Sequence, residues 1–350
     1  MHALRYSALI LCLAGCGTEP ASSPQPRMFV RTDQASGTNA LLIAVSPVND
    51  NVAWVSGSLG TWARTLDGGT TWQAGRVPGA DSLQFRDVHA IDATTAYLLS
   101  IGNGPASRIY KTTNGGTSWT LQFTNQDPQG FYDCFDFWDA RRGIAIGDAI
   151  DGAIQMLTTT DGGTTWTKVS AHRLPAAQAG EGSFAASGLC VETGEDGRAW
   201  IVMSNPERGR LLHTRDYGAT WAIDTLPITT RDGVGPQAVS FRDSRNGLVL
   251  GGGYNSQPTD VLAAISRDGG ATWTPRARPP QRRGIWGGVF VPGTNRPIIV
   301  AVGPDGIAVS RDEAATWMQL DTFNYWSVGF SSPRAGWAVG MNGRITRLRF

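Results

Sequence analysis

The sequence predicts an all-β chain folded as a seven-bladed β-propeller built on octapeptide hairpins, with the ring closed by an N-terminal strand. Three observations lead there. First, one octapeptide recurs six times, beginning with Thr65-Leu-Asp-Gly-Gly-Thr-Thr-Trp72 and Thr112-Thr-Asn-Gly-Gly-Thr-Ser-Trp119. Its closing tryptophans, Trp72, Trp119, Trp166, Trp221, Trp273 and Trp317, step by 47, 47, 55, 52 and 44 residues. A repeat of about 40–50 residues marks propeller blades, each one supersecondary unit. Second, 44 glycines and 13 tryptophans in 350 residues suit many short strands joined by tight turns. Third, an unmatched strand pattern stands at each end of the repeats.

Each octapeptide carries the chemistry of a tight turn. Asp67, Asn114, Asp161, Asp216, Asp268 and Asp312 are placed to accept hydrogen bonds from backbone amides further along. The glycines that follow supply positive φ. The Thr-Trp or Ser-Trp pair then starts a strand, and its indole can wedge between blades. The sixth copy has Glu313-Ala314 where Gly-Gly is usual, which predicts a looser turn there.

Every repeat reads as an apolar first strand, a Gly-flanked second, a third ending in the octapeptide and a fourth starting at Trp. The six repeats cover about residues 39–77, 83–123, 131–169, 184–226, 234–276 and 285–320. A seventh unit lacks the octapeptide and shows three strands, Trp326-Ser-Val-Gly-Phe330, Gly336-Trp-Ala-Val-Gly340 and Arg344-Ile-Thr-Arg-Leu-Arg-Phe350. The missing fourth strand is expected from residues 27–32, which would hide both open edges. Six blades plus an appendage is the competing arrangement.

The N-terminus reads as an export signal. Arg5 precedes a short apolar run that is too short to span a bilayer. Leu13-Ala14-Gly15-Cys16 follows, resembling a bacterial lipobox. The expected organisation is a lipoprotein signal peptide (1–15), a lipidated Cys16 with a flexible tether (16–26) and one propeller (27–350). That places the protein outside the cytoplasm, anchored by lipid in the cell envelope. In a two-membrane cell Gly17 points to the outer membrane, periplasmic side. Cys134 and Cys190 then remain, either bridged or as two thiols. The four histidines are scattered, no metal-ligand spacing occurs, and no cofactor is expected. A formal charge of +1 argues against a nucleic-acid partner. A monomer is expected.

In such a ring the octapeptides occupy one face, and the opposite face rims the channel as the default ligand site. The loops of that face carry Arg86, Asp133, Asp148, Asp151, Glu181, Arg231, Tyr254, Arg283, Trp286 and Tyr325. This mixture of arginine, carboxylate and aromatic residues suits a peptide, a glycan or an anionic group.

The octapeptide resembles the Asp-box (BNR) repeat of sialidases, sortilin-like receptors and Ycf48/Hcf136-like photosystem II assembly factors. Phe85-Arg-Asp-Val88, Arg142-Gly-Ile-Ala-Ile-Gly-Asp148, Gly180-Glu-Gly-Ser-Phe-Ala-Ala-Ser187 and Gly251-Gly-Gly-Tyr254 are similar to segments of exported bacterial members often labelled "oxidoreductase". The resemblance implies a non-enzymatic module that binds a membrane or envelope protein, or a glycan, with no catalytic residue. The alternative is a sialidase-like glycosidase using the same rim. It lacks the Phe/Tyr-Arg-Ile-Pro motif, since Phe85-Arg86 is followed by Asp87. No Gly-x-Gly-x-x-Gly lies between a strand and a helix, which leaves the oxidoreductase label without support.

Overall fold

The computed structural model describes residues 29–350. The leader, Cys16, the tether and residues 27–28 lie outside them. β1 (Val30–Ala35) comes first. Blade one is β2 (Leu42–Pro47), β3 (Ala53–Gly57), β4 (Thr61–Thr65) and β5 (Gln73–Arg76). Blade two is β6 (Phe85–Ala90), β7 (Ala96–Ser100), β8 (Arg108–Thr112) and β9 (Thr120–Thr124). Blade three is β10 (Tyr132–Phe137), β11 (Gly143–Ile150), β12 (Ala153–Thr159) and β13 (Thr167–Lys168). Blade four is β14 (Val191–Thr193), β15 (Arg198–Ser204), β16 (Gly209–Arg215) and β17 (Ala222–Leu226). Blade five is β18 (Gly235–Phe241), β19 (Gly247–Gly252), β20 (Ala263–Ser266) and β21 (Thr274–Pro275). Blade six is β22 (Gly287–Phe290), β23 (Ile299–Gly303), β24 (Gly306–Ser310) and β25 (Met318–Gln319). Blade seven is β26 (Tyr325–Ser332), β27 (Ala335–Gly340) and β28 (Arg344–Arg349), completed by β1.

All seven sheets have four strands, and the competing six-blade arrangement is set aside. The closing strand begins three residues later than the sequence implied. Its register runs from Val30 opposite Arg349 to Ala35 opposite Arg344. Gln34 makes this closure specific. Its Oε1 accepts from the indole N–H of Trp72 and of Trp337, each at 3.1 Å, and its Nε2 donates to Gly68 O. One amide thus ties the first octapeptide to the last blade.

The octapeptides bond alike in every copy. Thr65 Oγ1 donates to Asp67 Oδ1 and accepts from the Gly69 amide, while Asp67 accepts from the Thr71 amide (2.9 Å) and hydroxyl (2.7 Å). These bonds hold the Asp67 and Asp161 carboxyls down to about 2. The sixth turn is not looser. Ser310, Asp312 and Thr316 repeat the set, with Glu313 and Ala314 held at φ 57° and 62°. The bonds outweigh the cost of placing Cβ atoms in the left-handed region, roughly 1–2 kcal/mol per residue.

Aromatic residues at one position of the second strand lock blade to blade. Trp54 donates to Asp92 O, Tyr97 to Gly162 O and Trp200 to Gly269 O, each in the next blade. The core lies between blades. Trp119 packs its ring on Trp54 and Trp62 of blade one, and Phe241 stacks on Trp200 at 3.7 Å. Cys134 and Cys190 form a disulfide that joins blades three and four, closing the choice that the sequence left open.

Candidate functional site at the channel mouth

The turns between second and third strands, and the links between blades, form the face opposite the octapeptides. On this face the inner strands share a device. A register break falls between Phe85 and Asp87, Tyr132 and Cys134, Pro236 and Ala238, and Tyr325 and Ser327. Each break leaves one extra residue on the inner strand: Arg86, Asp133, Gln237 or Trp326. A bulge re-aims side chains; it brings Arg86 and Trp326 together, while Asp133 and Gln237 stay buried, as does Ile43 at the same break in blade one.

The channel is blocked just below. Blade four has an inner strand of only three residues, because residues 184–189 leave the blade and cross the axis. Ser187 Oγ donates to Trp286 O of the link into blade six (2.7 Å), and Ser327 Oγ of blade seven donates to Ser187 O (2.9 Å). Arg86 of blade two donates to Ala185 O (2.9 Å), and the Val239 amide of blade five donates to Leu189 O. A segment anchored in blade four that bonds blades two, five and seven must span the ring. Its small residues make this passage feasible: a Cβ on Gly188 would lie 2.3 Å from Asp87 Oδ1. The disulfide at Cys190 pins its far end.

Above this plug stands an aromatic tier. Trp286 and Trp326 have ring centroids 4.5 Å apart, and Tyr254 meets Trp286 edge-on at 5.2 Å. Arg86 lies over Trp326, 4.8 Å from its centroid. The Arg86 guanidinium donates to Gln84 Oε1 and Ala185 O, and no carboxylate among the described residues pairs with it. Burial pulls its pKa down, while the Tyr254 hydroxyl is close enough to oppose that slightly. A desolvated cation without a counter-ion is costly, so this mouth is ready for an anion.

The residues expected from sequence fall into three groups. Arg86, Tyr254, Arg283 and Trp286 gather at the mouth, with Tyr254 63% exposed, Arg283 exposed, Arg86 part-buried and Trp286 buried. Arg283 is already neutralised: it pairs with Asp305 and donates to Pro304 O. Arg231 likewise grips Asp260 with both nitrogens and also holds Asn255 O.

A second group lies beside the plug on the same face. Glu181 is buried in an ion pair with Arg210 and accepts from the Gln178 amide. Asp133 is buried beside Asp148, and burial raises both carboxyls, Asp148 to about 6. Each lies close enough to the other for the Asp148 charge to push Asp133 up further, and Asp133 Oδ2 has no hydrogen-bond partner among the described residues. Gly182 leaves room for Asp148, because a Cβ there would lie 1.9 Å from Asp148 Oδ1.

Two residues stand apart. Asp151 sits exposed on a turn at φ 50°. Tyr325 is fully buried, its hydroxyl bonded to Asp321 and Thr346, and burial pushes it up to about 12. The register break turns Trp326, its neighbour, to the mouth instead. Sequence reading also missed the plug. Its trace was the longest octapeptide spacing, 55 residues between Trp166 and Trp221, together with the small-residue run Ala185-Ala-Ser-Gly188.

No family model matches the chain, and no curated protein matches it. Its fold is nonetheless that of several solved propellers. A structure described as "YCF48 bound to D1 peptide" is 16% identical, with a TM-score of 0.64 over 92% of this chain and 95% of that one. YCF48 from Cyanidioschyzon merolae is 16% identical, with a TM-score of 0.65 over 91% and 98%. An ancestral GH74 enzyme, 11% identical, reaches a TM-score of 0.63 over 89% of this chain but only 45% of its own.

Proposed function

We propose that this chain is a binding and assembly propeller of the Ycf48/Hcf136 kind. It captures a peptide segment of an envelope protein at the mouth of the plugged channel. The observation that carries this reading is the unpaired Arg86 set over Trp326 and flanked by Trp286 and Tyr254. A carboxylate of the peptide would neutralise Arg86, while its apolar side chains would lie on the indoles. The peptide-bound state of one structural neighbour supports a peptide over a glycan.

Lipid attachment at Cys16 belongs to the same proposal. β1 enters the ring at the octapeptide face, where Val30 pairs with Arg349 and the Phe350 amide donates to Pro333 O. An anchor thirteen residues before Phe29 reaches at most about 45 Å. It would hold the octapeptide face toward the membrane and direct the channel mouth away from it. The test is affinity capture of the lipidated protein from its own envelope fraction, wild type against Arg86→Ala. Loss of one enriched membrane protein in the variant supports the proposal; identical capture sinks it.

The glycosidase reading keeps one feature in its favour, the adjacent carboxyls of Asp133 and Asp148 near the mouth, both raised by burial. Turnover of fluorogenic glycosides that is abolished by Asp148→Asn would establish it.

A further inference from the structure

The other end of the channel opens on the octapeptide face as a cavity of ≈ 410 Å³, closed from within by Gly188 and Leu189 of the plug. That size falls within the range of about 300–1,000 Å³ for small-molecule sites. Along its wall, successive blades carry His89, Asp136 and Glu192 at one register position, opposite Tyr97, Ile144 and Trp200 of their second strands. Asp87 lies one step deeper.

Each carboxylate uses one oxygen to clip the next blade. Asp87 Oδ2 accepts the Phe135 amide (2.8 Å), Asp136 Oδ2 the Thr193 amide (2.7 Å) and Glu192 Oε2 the Phe241 amide. Asp136 Oδ1 also holds His89 Nδ1 at 2.7 Å, which directs the imidazole and leaves its Nε2 without a protein partner among the described residues. Glu192 Oε1 has none either. Asp87 Oδ1 and Asp136 Oδ1 also accept the Val88 and Phe137 amides, so Glu192 Oε1 and His89 Nε2 are the two polar atoms of these four residues left without a partner among the described residues.

No cation lies beside Asp87 or Glu192 to favour their charged forms. Burial pushes Asp87 and Glu192 well above the usual carboxylate range, and the nearby Asp136 pushes the same way. Among the lining residues the fixed cation is Arg242, at the outer lip. The rest of the wall mixes Ser46, Thr193 and Ser240 with valines and with Phe135, Phe241 and Phe330. No three His, Cys, Asp or Glu among the described residues are spaced to hold a metal ion.

We propose that this cavity is a second binding site, distinct from the channel mouth, for a small organic amine. Its ammonium donates to Glu192 Oε1 and His89 Nε2, and its apolar body lies against the phenyl rings. Binding draws Glu192 into its ionised form and releases that proton to solvent.

The probe is phenethylammonium chloride, titrated calorimetrically into the mature propeller at about pH 8, where a free carboxylate is ionised. Phenethyl alcohol and phenylacetate are the isosteric controls. The expected result is one saturable site with Kd near 1 mM or tighter, together with movement of the His89 ring resonances. Both controls, and Glu192→Gln with the amine, bind roughly tenfold more weakly or worse. Absence of saturation overturns the proposal, as does binding of the alcohol equal to the amine. Unchanged affinity in a Glu192→Gln protein with a native melt does so too. If that variant misfolds, the amine–alcohol comparison and the His89 resonances in wild type decide the matter.

Discussion

Arg86 lies 4.8 Å above the Trp326 ring at the channel mouth and has no carboxylate partner among the described residues. Arg231 and Arg283 on the same face are each matched by an aspartate. One cation of three is thus left for a ligand. Arg86→Ala should lower affinity for an acid-bearing peptide by at least about tenfold, roughly the 1.4 kcal/mol of one charge-assisted bond. The melting temperature should not fall, because the variant also removes a desolvated charge. Fluorescence anisotropy alongside a thermal melt checks both halves. A lowered melt with unchanged binding would make Arg86 a plug fastener only.

The Asp133–Asp148 pair predicts a pH dependence of defined sign. Asp148 titrates at about 6 in the folded protein, and near 3.9 in an unfolded chain. Between those values the folded state binds more protons, so stability falls as pH rises through that window. Asp148→Asn should flatten this slope, raising the melting temperature at neutral pH and changing little at about pH 4. The effect belongs to the pair, since the carboxyls titrate together. Melts across that interval would reveal it, and parallel curves for wild type and variant would refute the raised Asp148 carboxyl.

The octapeptide turns should tolerate Asn better than Ala. Asp161→Ala loses the bonds to the Thr165 amide and hydroxyl, costing about 1–2 kcal/mol. Asp161→Asn should cost far less. Asn114 already shows how: its Oδ1 accepts the Ser118 amide and its Nδ2 donates to the Ser118 hydroxyl. Denaturant unfolding of the two variants separates them.

Gln34→Ala should destabilise the ring by more than a surface change does. It strands the indole N–H groups of Trp72 and Trp337, at about 1–3 kcal/mol for each donor left buried. The loss should appear in hydrogen exchange at β1 and β28 before it appears elsewhere. Equal protection in variant and wild type would count against Gln34 as the closing contact.

Cys134→Ser with Cys190→Ser removes a bridge between residues 56 apart in sequence. A cost of about 2–4 kcal/mol is expected. Because Cys190 ends the plug, exchange at residues 184–189 should rise and peptide affinity should fall with it. A stability loss without faster exchange there would separate the bridge from the plug.

Much of the ring was legible because its determinants are local. Thr65, Asp67 and Thr71 meet within one turn, so their spacing alone specifies the bonds. The mouth was legible only in part. Arg86, Tyr254, Arg283 and Trp286 were found because polar and aromatic residues on blade links are visible as types. Tyr325 was expected at the mouth and is buried, with Trp326 facing the channel instead, because a one-residue register break inverts which side chain points there. For another reason, the carboxylates of the opposite cavity were not placed there from sequence: Asp87 and Asp136 were expected on the rim of the other face. Asp87, Asp136 and Glu192 sit inside strands, roughly fifty residues apart, and meet only when neighbouring blades are packed.

The repeated octapeptides, the alternating strands and the lone strand at the N-terminus were enough by themselves to predict a propeller of six or seven blades and to favour seven with that closure. These depend on backbone preference and on edges that must be paired. Tertiary structure decided which charges are free. Arg86 is unpaired, Arg231 and Arg283 are not, and Glu181 is consumed by Arg210, because pairing depends on distances across the ring. It also decided that residues 184–189 fill the axis and divide one channel into two unlike chambers, a contact between blades four and seven that no local pattern encodes.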